Sequence, residues 1–344
     1  KLDSGTASTT LSVFSADRNL DLAGGDQGDG ADISGAELAL ITATDLTVET
    51  TGSSGAIKTG SGITDTNTEN ITGTFKIASG GDLTSSADGI STAGVLSIAA
   101  GGSVDLNGSI TASQGFNSTG TAFDNTGGAI TTTDSAITID HSGAVKVSGA
   151  LSSGTGDVDI DSTGSTIALN NSIKTTSGKV SLDASGKTTV ADAGDITTTT
   201  GKVVFGADRT GSLLTSGDVT TSGGDVQFAQ SMVLGKDVSI DTGETSAGNV
   251  LFSSTVATGD NNLTLDAGSA GNITAASSIT GGGAMVVTDG AVQKYSGAIT
   301  VDSLDIKDAT TSVTLDGAVT TETTLDINSG GTLGQNAKVK AGTS

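Results

Sequence analysis

The sequence contains no proline, no cysteine and no tryptophan among its 344 residues. At an average usage of roughly 5%, a chain of this length would carry about seventeen prolines. Because proline lacks a backbone N–H, its absence favours a fold in which nearly every backbone donor enters a hydrogen-bond ladder. The absence of cysteine excludes a disulfide framework.

Aromatic residues are also scarce, at 2%, and the apolar 34% consists mostly of alanine, valine, isoleucine and leucine. Such side chains cannot fill one thick globular core, but they can fill a thin core that repeats along an axis. No apolar run reaches the ~18 residues that a membrane-spanning helix needs, so we expect no membrane insertion.

Positive charge is the third scarcity. The chain has 15 basic and 38 acidic residues, a net charge of −23, and only two arginines, Arg18 and Arg209. A surface of this sign repels phosphate backbones and anionic lipid, which excludes nucleic acid as a partner.

An aliphatic residue followed seven positions later by another apolar residue recurs along the chain. The pairs are Ile130 and Ile137, Leu151 and Val158, Ile173 and Val180, Ile196 and Val203, and Val219 and Val226. Their first members advance by 21, 22, 23 and 23 residues, which indicates an internal repeat of ~22 residues.

Each repeat also contains a short stretch in which apolar residues alternate with other residues. Phe205, Phe228 and Phe252 each follow a valine by two positions, and they are themselves 23 and 24 residues apart. Alternation of this kind is typical of β-strands with one buried face, and helical spacing is not sustained over most of the chain. Glycine, serine, threonine and aspartate fill the intervening turns.

Coiling the chain gives strands this short a partner, because each strand can pair in parallel with its equivalent one repeat later. We therefore predict an all-β fold, a parallel β-helix (solenoid) with ~22-residue rungs and about fifteen rungs. At ~4.8 Å per rung it would form a rod about 70 Å long. Phe205, Phe228 and Phe252 should then form a buried aromatic stack.

Residues 33–48, ISGAELALITATDLTV, resemble a phrase found in very large bacterial exoproteins of the filamentous-haemagglutinin type. Residues 173–180 and 296–306 are similar to the repeat regions of those proteins. The resemblance implies a right-handed parallel β-helix, export across two membranes, and a role in adhesion or cell-surface fibres. The chain departs from the family in several respects, among them that without proline it cannot contain the asparagine-proline motif of the secretion domain.

We expect residues 1–56 to form less regular coils that include an acidic, glycine-rich loop, and residues 57–344 to form a continuous parallel β-helix. Together they would make one uninterrupted solenoid. No capping unit is evident in either terminal sequence, and residue 1 is lysine, so we interpret the chain as an internal piece of a longer protein.

Asp140, Asp161 and Asp183 each follow a strand pattern and are spaced 21 and 22 residues apart. Coiling would place them outside the helix, one per rung. Like charges ~5 Å apart repel by roughly 1 kcal/mol in water, and a bound Ca²⁺ would relieve that repulsion. The alternative is that each carboxylate caps turn N–H groups and faces solvent.

A second acidic set, Asp26, Asp29 and Asp32, lies in the glycine-rich residues 24–32. Its spacing is one residue away from the calcium-binding repeat of β-roll toxins, and it occurs once where those repeats occur many times. The set is either a Ca²⁺ site or a flexible acidic loop. No other cofactor is expected.

Two further residue sets are candidates for function. His141, the only histidine, follows Asp140 and could act as a general base, although a solvated residue at a turn is the simpler interpretation. A column of hydroxyl residues lies two positions after the repeat's aliphatic residue and could order water on ice, but alternation sends it inward or into a turn. Its members are Thr132, Ser153, Thr175, Thr198 and Thr221.

We predict a structural and adhesive rod of the bacterial outer cell surface, a segment or subunit of an extracellular fibre, and not an enzyme. Its partners would be itself, by end-to-end stacking or as part of a longer chain, and surface glycans or host or neighbouring cells. Two alternatives are a carbohydrate-active β-helix, with a cleft walled by residues 50–73 and 113–128, and a calcium-stabilised glycan-binding module.

Overall fold

The computed structural model describes residues 1–13, 17–24, 30–50, 54–244 and 248–342. The chain divides into two compact units, Lys1–Asn171 and Ser172–Ser344. Each unit is a parallel β-solenoid, and together they hold about 13 turns with a spacing of about 21 residues. The predicted fold class is confirmed. The turn count is slightly lower than the predicted fifteen, and the first coils are longer than the repeat: Thr9 lies opposite Leu46, and Leu46 lies opposite Phe75.

The described residues of unit 1 form twenty-one short strands and two single-turn helices, numbered here in chain order. They are β1 (Leu2–Asp3), β2 (Thr9–Ser12), β3 (Leu20–Leu22), β4 (Ala31–Ile33), α1 (Gly35–Leu38), β5 (Ile41–Thr42), β6 (Leu46–Glu49), β7 (Ile57–Thr59), α2 (Asp65–Thr68), β8 (Thr74–Ser79), β9 (Leu83–Thr84), β10 (Ile90–Thr92), β11 (Val95–Ala100), β12 (Val104–Asp105), β13 (Ile110–Ala112), β14 (Phe116–Gly120), β15 (Phe123–Asp124), β16 (Ile130–Thr131), β17 (Ile137–His141), β18 (Val145–Val147), β19 (Leu151–Ser152), β20 (Val158–Ser162) and β21 (Ile167–Leu169).

Unit 2 continues the same pattern with strands alone in its described residues. They are β22 (Ile173–Lys174), β23 (Val180–Ala184), β24 (Lys187–Val190), β25 (Ile196–Thr197), β26 (Val203–Phe205), β27 (Ser212–Thr215), β28 (Val219–Thr220), β29 (Val226–Phe228), β30 (Ser231–Leu234), β31 (Val238–Asp241), β32 (Val250–Phe252), β33 (Val256–Gly259), β34 (Leu263–Asp266), β35 (Ile273–Ala275), β36 (Ile279–Gly281), β37 (Ala284–Asp289), β38 (Val292–Tyr295), β39 (Ile299–Val301), β40 (Ser303–Ile306), β41 (Ser312–Leu315), β42 (Val319–Thr321), β43 (Leu325–Ile327), β44 (Thr332–Gln335) and β45 (Val339–Lys340).

In the part of the chain that the structure describes, three parallel sheets form the walls of each unit, and β1 and β5 pair separately in unit 1. In unit 1, sheet I contains β2, β6, β8, β11, β14, β17 and β20; sheet II contains β4, β3, β7, β9, β12, β15, β18 and β21; and sheet III contains β10, β13, β16 and β19. In unit 2, sheet I contains every third strand from β23 to β44, sheet II every third strand from β24 to β45, and sheet III every third strand from β22 to β43. Each full coil therefore contributes one strand to each sheet, as a parallel solenoid requires.

The core of unit 2 contains the predicted aromatic column. Phe205, Phe228 and Phe252 are register partners on β26, β29 and β32. Their ring centroids are 5.1 and 5.0 Å apart, with interplanar angles of 4° and 9°. Each ring is at most 2% exposed. Equivalent residues thus lie directly over one another, and the prediction of a buried stack is confirmed.

The helices α1 and α2 were not predicted, although the sequence carries their start signals. Ser34 and Glu37 form a capping box, in which the Glu37 N–H donates to Ser34 Oγ at 3.2 Å and the Ser34 N–H donates to Glu37 Oε2 at 2.9 Å. Thr64 and Asn67 form a second one ahead of α2. The Asn67 side chain also donates to the Gly35 carbonyl at 3.1 Å, which stacks one helix on the other.

The column proposed for ice binding lies inside the solenoid. Thr132, Ser153, Thr175, Thr198 and Thr221 are all at most 4% exposed. In unit 2 each hydroxyl donates to the carbonyl three residues later, from Thr198 to Gly201 at 2.7 Å and from Thr221 to Gly224 at 2.6 Å. The alternation of buried and exposed positions therefore correctly predicted that these hydroxyls point inward. The hypothesis that they form an outward, water-ordering surface is wrong.

Candidate functional site

Asp140 and Asp161 are brought together in sheet I of unit 1. They are register partners on β17 and β20, with Asp140 exposed and Asp161 half-buried. Adjacent strands of a sheet lie ~4.8 Å apart. The pair therefore forms an outward column of two carboxylates, as the spacing predicted.

Asp183 does not lie on the exposed surface, which corrects the prediction that it faces solvent. Its side chain points away from the core of unit 2, but only 3% of the residue is exposed. The Asp208 N–H donates to Asp183 Oδ2 at 2.9 Å, and Arg209 Nε lies 3.9 Å from the same oxygen. The segment that follows β26 covers the carboxylate, and a guanidinium lies where the sequence predicted Ca²⁺.

Gln230 completes this buried polar cluster. A Cβ on Gly206 would lie 2.1 Å from the Gln230 side chain, so glycine at 206, with its φ of +70°, makes room for it. The Gln230 amide donates to the Arg209 carbonyl at 3.2 Å. Three buried atoms of the cluster, Asp183 Oδ1, Arg209 Nε and Gln230 Oε1, have no hydrogen-bond partner. Unsatisfied buried polar atoms make the cluster sensitive to any change in its charge balance.

Replacing Arg209 with methionine should lower the free energy of unfolding by about 2 kcal/mol, because it leaves a buried carboxylate without a counter-charge. This value is below the roughly 3 to 5 kcal/mol typical of a fully buried ion pair, because the Arg209 side chain is 28% exposed and solvent screens its charge. Denaturation in urea would measure it, and the double variant Arg209→Met/Asp183→Asn should recover most of the loss. The exposed pair Lys236 and Asp192 is the control, since its removal should cost no more than about 0.5 kcal/mol.

The structure describes only part of the acidic glycine-rich loop. Asp26 and Asp29 lie outside the described residues, and Asp32 is an exposed residue of β4. Strand β4 pairs with β3 and places Asp32 opposite Asp21. Partial burial, followed by repulsion from Asp32, raises the pKa of Asp21, while Lys58 opposes the shift.

A third acidic column, in sheet III of unit 2, escaped sequence reasoning. Asp241 lies opposite Asp266, and Asp266 lies opposite Asp289. Each carboxylate accepts an N–H from a glycine that follows it, at 2.7 to 2.9 Å. Burial raises the pKa of Asp289, and repulsion from Asp308, Asp266 and Glu244 adds to it.

A recurring aliphatic-Asp signal was present in this column, at Ile240-Asp241 and Leu265-Asp266. The third member was hidden because the register shifts between Leu265 and Asp266, so that Asp289 follows Val287 by two residues instead of one. Among the residues that the structure describes, no three His, Asp or Glu side chains are arranged to hold a metal ion. The carboxylates are spread along columns and do not converge.

His141 and Asp140 lie on opposite faces of β17. The carboxylate is exposed, whereas the imidazole is 0% exposed and contacts the interior. The two side chains therefore cannot face one cleft, which removes the geometric basis for a general base at this position. The prediction of a solvated histidine at a turn is also wrong.

A depression near the last described strands is lined by Thr320, Thr321, Glu322, Lys340, Ala341 and Gly342. It offers a single carboxylate, whereas glycosidase chemistry needs two that flank one bond. This depression is therefore a poor candidate for a sugar-cleaving site.

The chain matches no protein-family model, no curated protein and no solved structure. What is shown is the β-solenoid itself, and the resemblance to filamentous-haemagglutinin-type exoproteins stays a prediction. Within the described ranges, no helix has the length and apolar character needed to cross a membrane.

Proposed function

We propose that the chain is a structural and adhesive segment of a bacterial extracellular fibre, displayed at the outer cell surface. The observation that carries this proposal is the stacking of like on like, of which the Phe205–Phe228–Phe252 column is the clearest case. Each coil of a solenoid bonds only to the coils before and after it. The solenoid can therefore be lengthened by adding further coils. That property suits a spanning or projecting element.

The outward side chains support a surface role. Columns of carboxylates run along the sheets, among them Asp140–Asp161 and Asp241–Asp266–Asp289. With a net charge of −23, neighbouring solenoids repel each other side to side, which favours solubility and separation of fibres.

Self-association or chain continuation would use strand edges. An unpaired parallel strand edge accepts a further strand whichever chain supplies it. We extend the proposal to partners of this kind and to glycans on neighbouring cells.

Imaging and adhesion together test the proposal. Purified protein examined by negative-stain electron microscopy should show thin elongated particles, and beads coated with it should bind cell or glycan surfaces. Beads coated with urea-unfolded protein are the control, and they should bind less because the outward columns are lost.

The enzyme alternative has its own experiment. The protein is incubated with a panel of polysaccharides, and new chain ends are measured beside the variant Asp140→Asn/Asp161→Asn. We expect no cleavage by either protein. Cleavage that the double substitution abolishes would overturn the structural role in favour of a carbohydrate-active solenoid.

A further inference from the structure

The single histidine of the chain lies in the core of unit 1, among groups that do not favour a charge. Its Nε2 is 3.0 Å from Ser118 Oγ on the preceding coil. The Phe123 ring packs against it with a centroid distance of 5.4 Å and an angle of 54°. A Cβ on Gly120 would lie 3.1 Å from the imidazole, so the ring fills the space that this glycine leaves.

The other ring nitrogen, Nδ1, is buried and makes no hydrogen bond. The Ala122 carbonyl lies close enough to favour the charged ring, but it does not meet normal hydrogen-bond geometry with Nδ1. On the following coil, the register partner Ser162 already donates its hydroxyl to the Gly143 carbonyl at 2.6 Å. An imidazolium needs acceptors for two N–H groups, and Ser118 Oγ is the one acceptor found here at normal hydrogen-bond geometry.

The charged groups around the ring are also few. Ser118, Gly120 and Phe123 from the preceding coil and Ser162 from the following coil carry no charge. Asp140 is the one carboxylate found to act on the imidazole, and it lies on the solvent side of the same strand. Among the described residues that contact the ring, none is a buried carboxylate that could balance the charge of a protonated imidazole.

We propose that His141 makes this part of unit 1 an acid-sensitive coil: on mild acidification the imidazole takes up a proton by leaving the interior, which opens β14 and β17 locally. The inference stands apart from the fibre role, because it rests on the interior of one coil and not on any partner. Local opening is the expected response in a solenoid, where each coil contacts only its neighbours.

The pH range follows from the histidine. Burial lowers the pKa of His141 from 6.5 to about 4, against the opposing effects of Asp140 and Ala122. The open form takes up a proton below pH 6.5 and the closed form only near pH 4, so opening is unaffected above that range. Linkage then raises the opening equilibrium about thirtyfold by pH 5 and about 150-fold by pH 4.

Two carboxylates in the same unit, Asp105 and Asp21, respond with the opposite sign. Burial raises the pKa of Asp105, with Asp124 and Asp82 adding to it, and burial likewise raises the pKa of Asp21. Such groups bind protons more readily in the folded chain, so mild acid favours folding at their positions. Global stability therefore mixes two effects, and the test has to be local.

Hydrogen exchange read by mass spectrometry at pH 7, 6, 5 and 4, corrected for the intrinsic rate, gives that local measurement. Peptides covering residues 116–123 and 137–142 should lose protection by the factors above, while residues 180–205 of unit 2 should not. In the variant His141→Gln the loss should disappear. Equal pH dependence in the variant and the parent chain would overturn the proposal.

A second measurement does not depend on the variant folding. Because the chain has one histidine, a sample with ¹³C-labelled histidine gives a single ring signal in NMR. Its titration midpoint should lie below pH 5, whereas the loss of exchange protection should begin already below pH 6.5. A midpoint near 6.5 with exchange protection intact would show that the folded coil accepts the charge, and would contradict the inference.

Discussion

Replacing Phe228 with alanine should lower the free energy of unfolding of unit 2 by about 4 kcal/mol, the largest single-residue loss that we expect from its core. A buried phenylalanine truncated to alanine costs about 3 to 5 kcal/mol. Phe228 is placed at the upper part of that range because it stacks on both sides, against Phe205 and Phe252.

Denaturation in urea followed by far-UV circular dichroism measures this loss, since the chain has no tryptophan to serve as a fluorescent reporter. Val233→Ala is the matched control in the same unit, because its side chain is 43% exposed and its removal should cost less than about 0.5 kcal/mol. If Phe228→Ala cost no more than the control, the phenylalanine column could not be part of a packed core.

The phenylalanine column was predictable because each step along it preserves register. Val203, Val226 and Val250 also lie opposite one another, because the valines and the phenylalanines follow the same intervals of 23 and 24 residues. In a solenoid, residues one repeat apart in the sequence are in contact in the structure. Periodicity alone was therefore enough to predict the fold class.

Prediction failed where a coil departs from its neighbours. The burial of Asp183 depends on the segment around Asp208 and Arg209, which belongs to the next coil and has no counterpart in the repeat. Burial of His141 likewise depends on the space left by Gly120 one coil earlier. Such features follow from packing between particular side chains, and the average repeat does not contain them.

The second large loss of stability is expected from glycines in the turns between strands. Replacing Gly224, between β28 and β29, with alanine should lower the free energy of unfolding of unit 2 by at least about 3 kcal/mol. The new Cβ would lie 2.0 Å from the Gly201 carbonyl oxygen of the preceding coil. The following coil approaches just as closely at this turn, because a Cβ on Gly248 would lie 2.1 Å from the Gly224 carbonyl oxygen. The backbone at Gly224 therefore has a neighbouring coil in close contact on each side. Overpacking costs typically 1 to 3 kcal/mol where side chains can yield, and here the obstacle is backbone.

Gly334→Ala is the matched control, since it lies in strand β44 of the same unit and the nearest atom to its Cβ is 3.8 Å away. That substitution should be neutral or stabilise by about 0.5 kcal/mol, because alanine has less conformational freedom to lose on folding. Urea midpoints for the two variants give the comparison. Equal stability would mean that the backbone at this turn shifts freely, in which case close coil-to-coil contact would not explain why this chain carries 52 glycines.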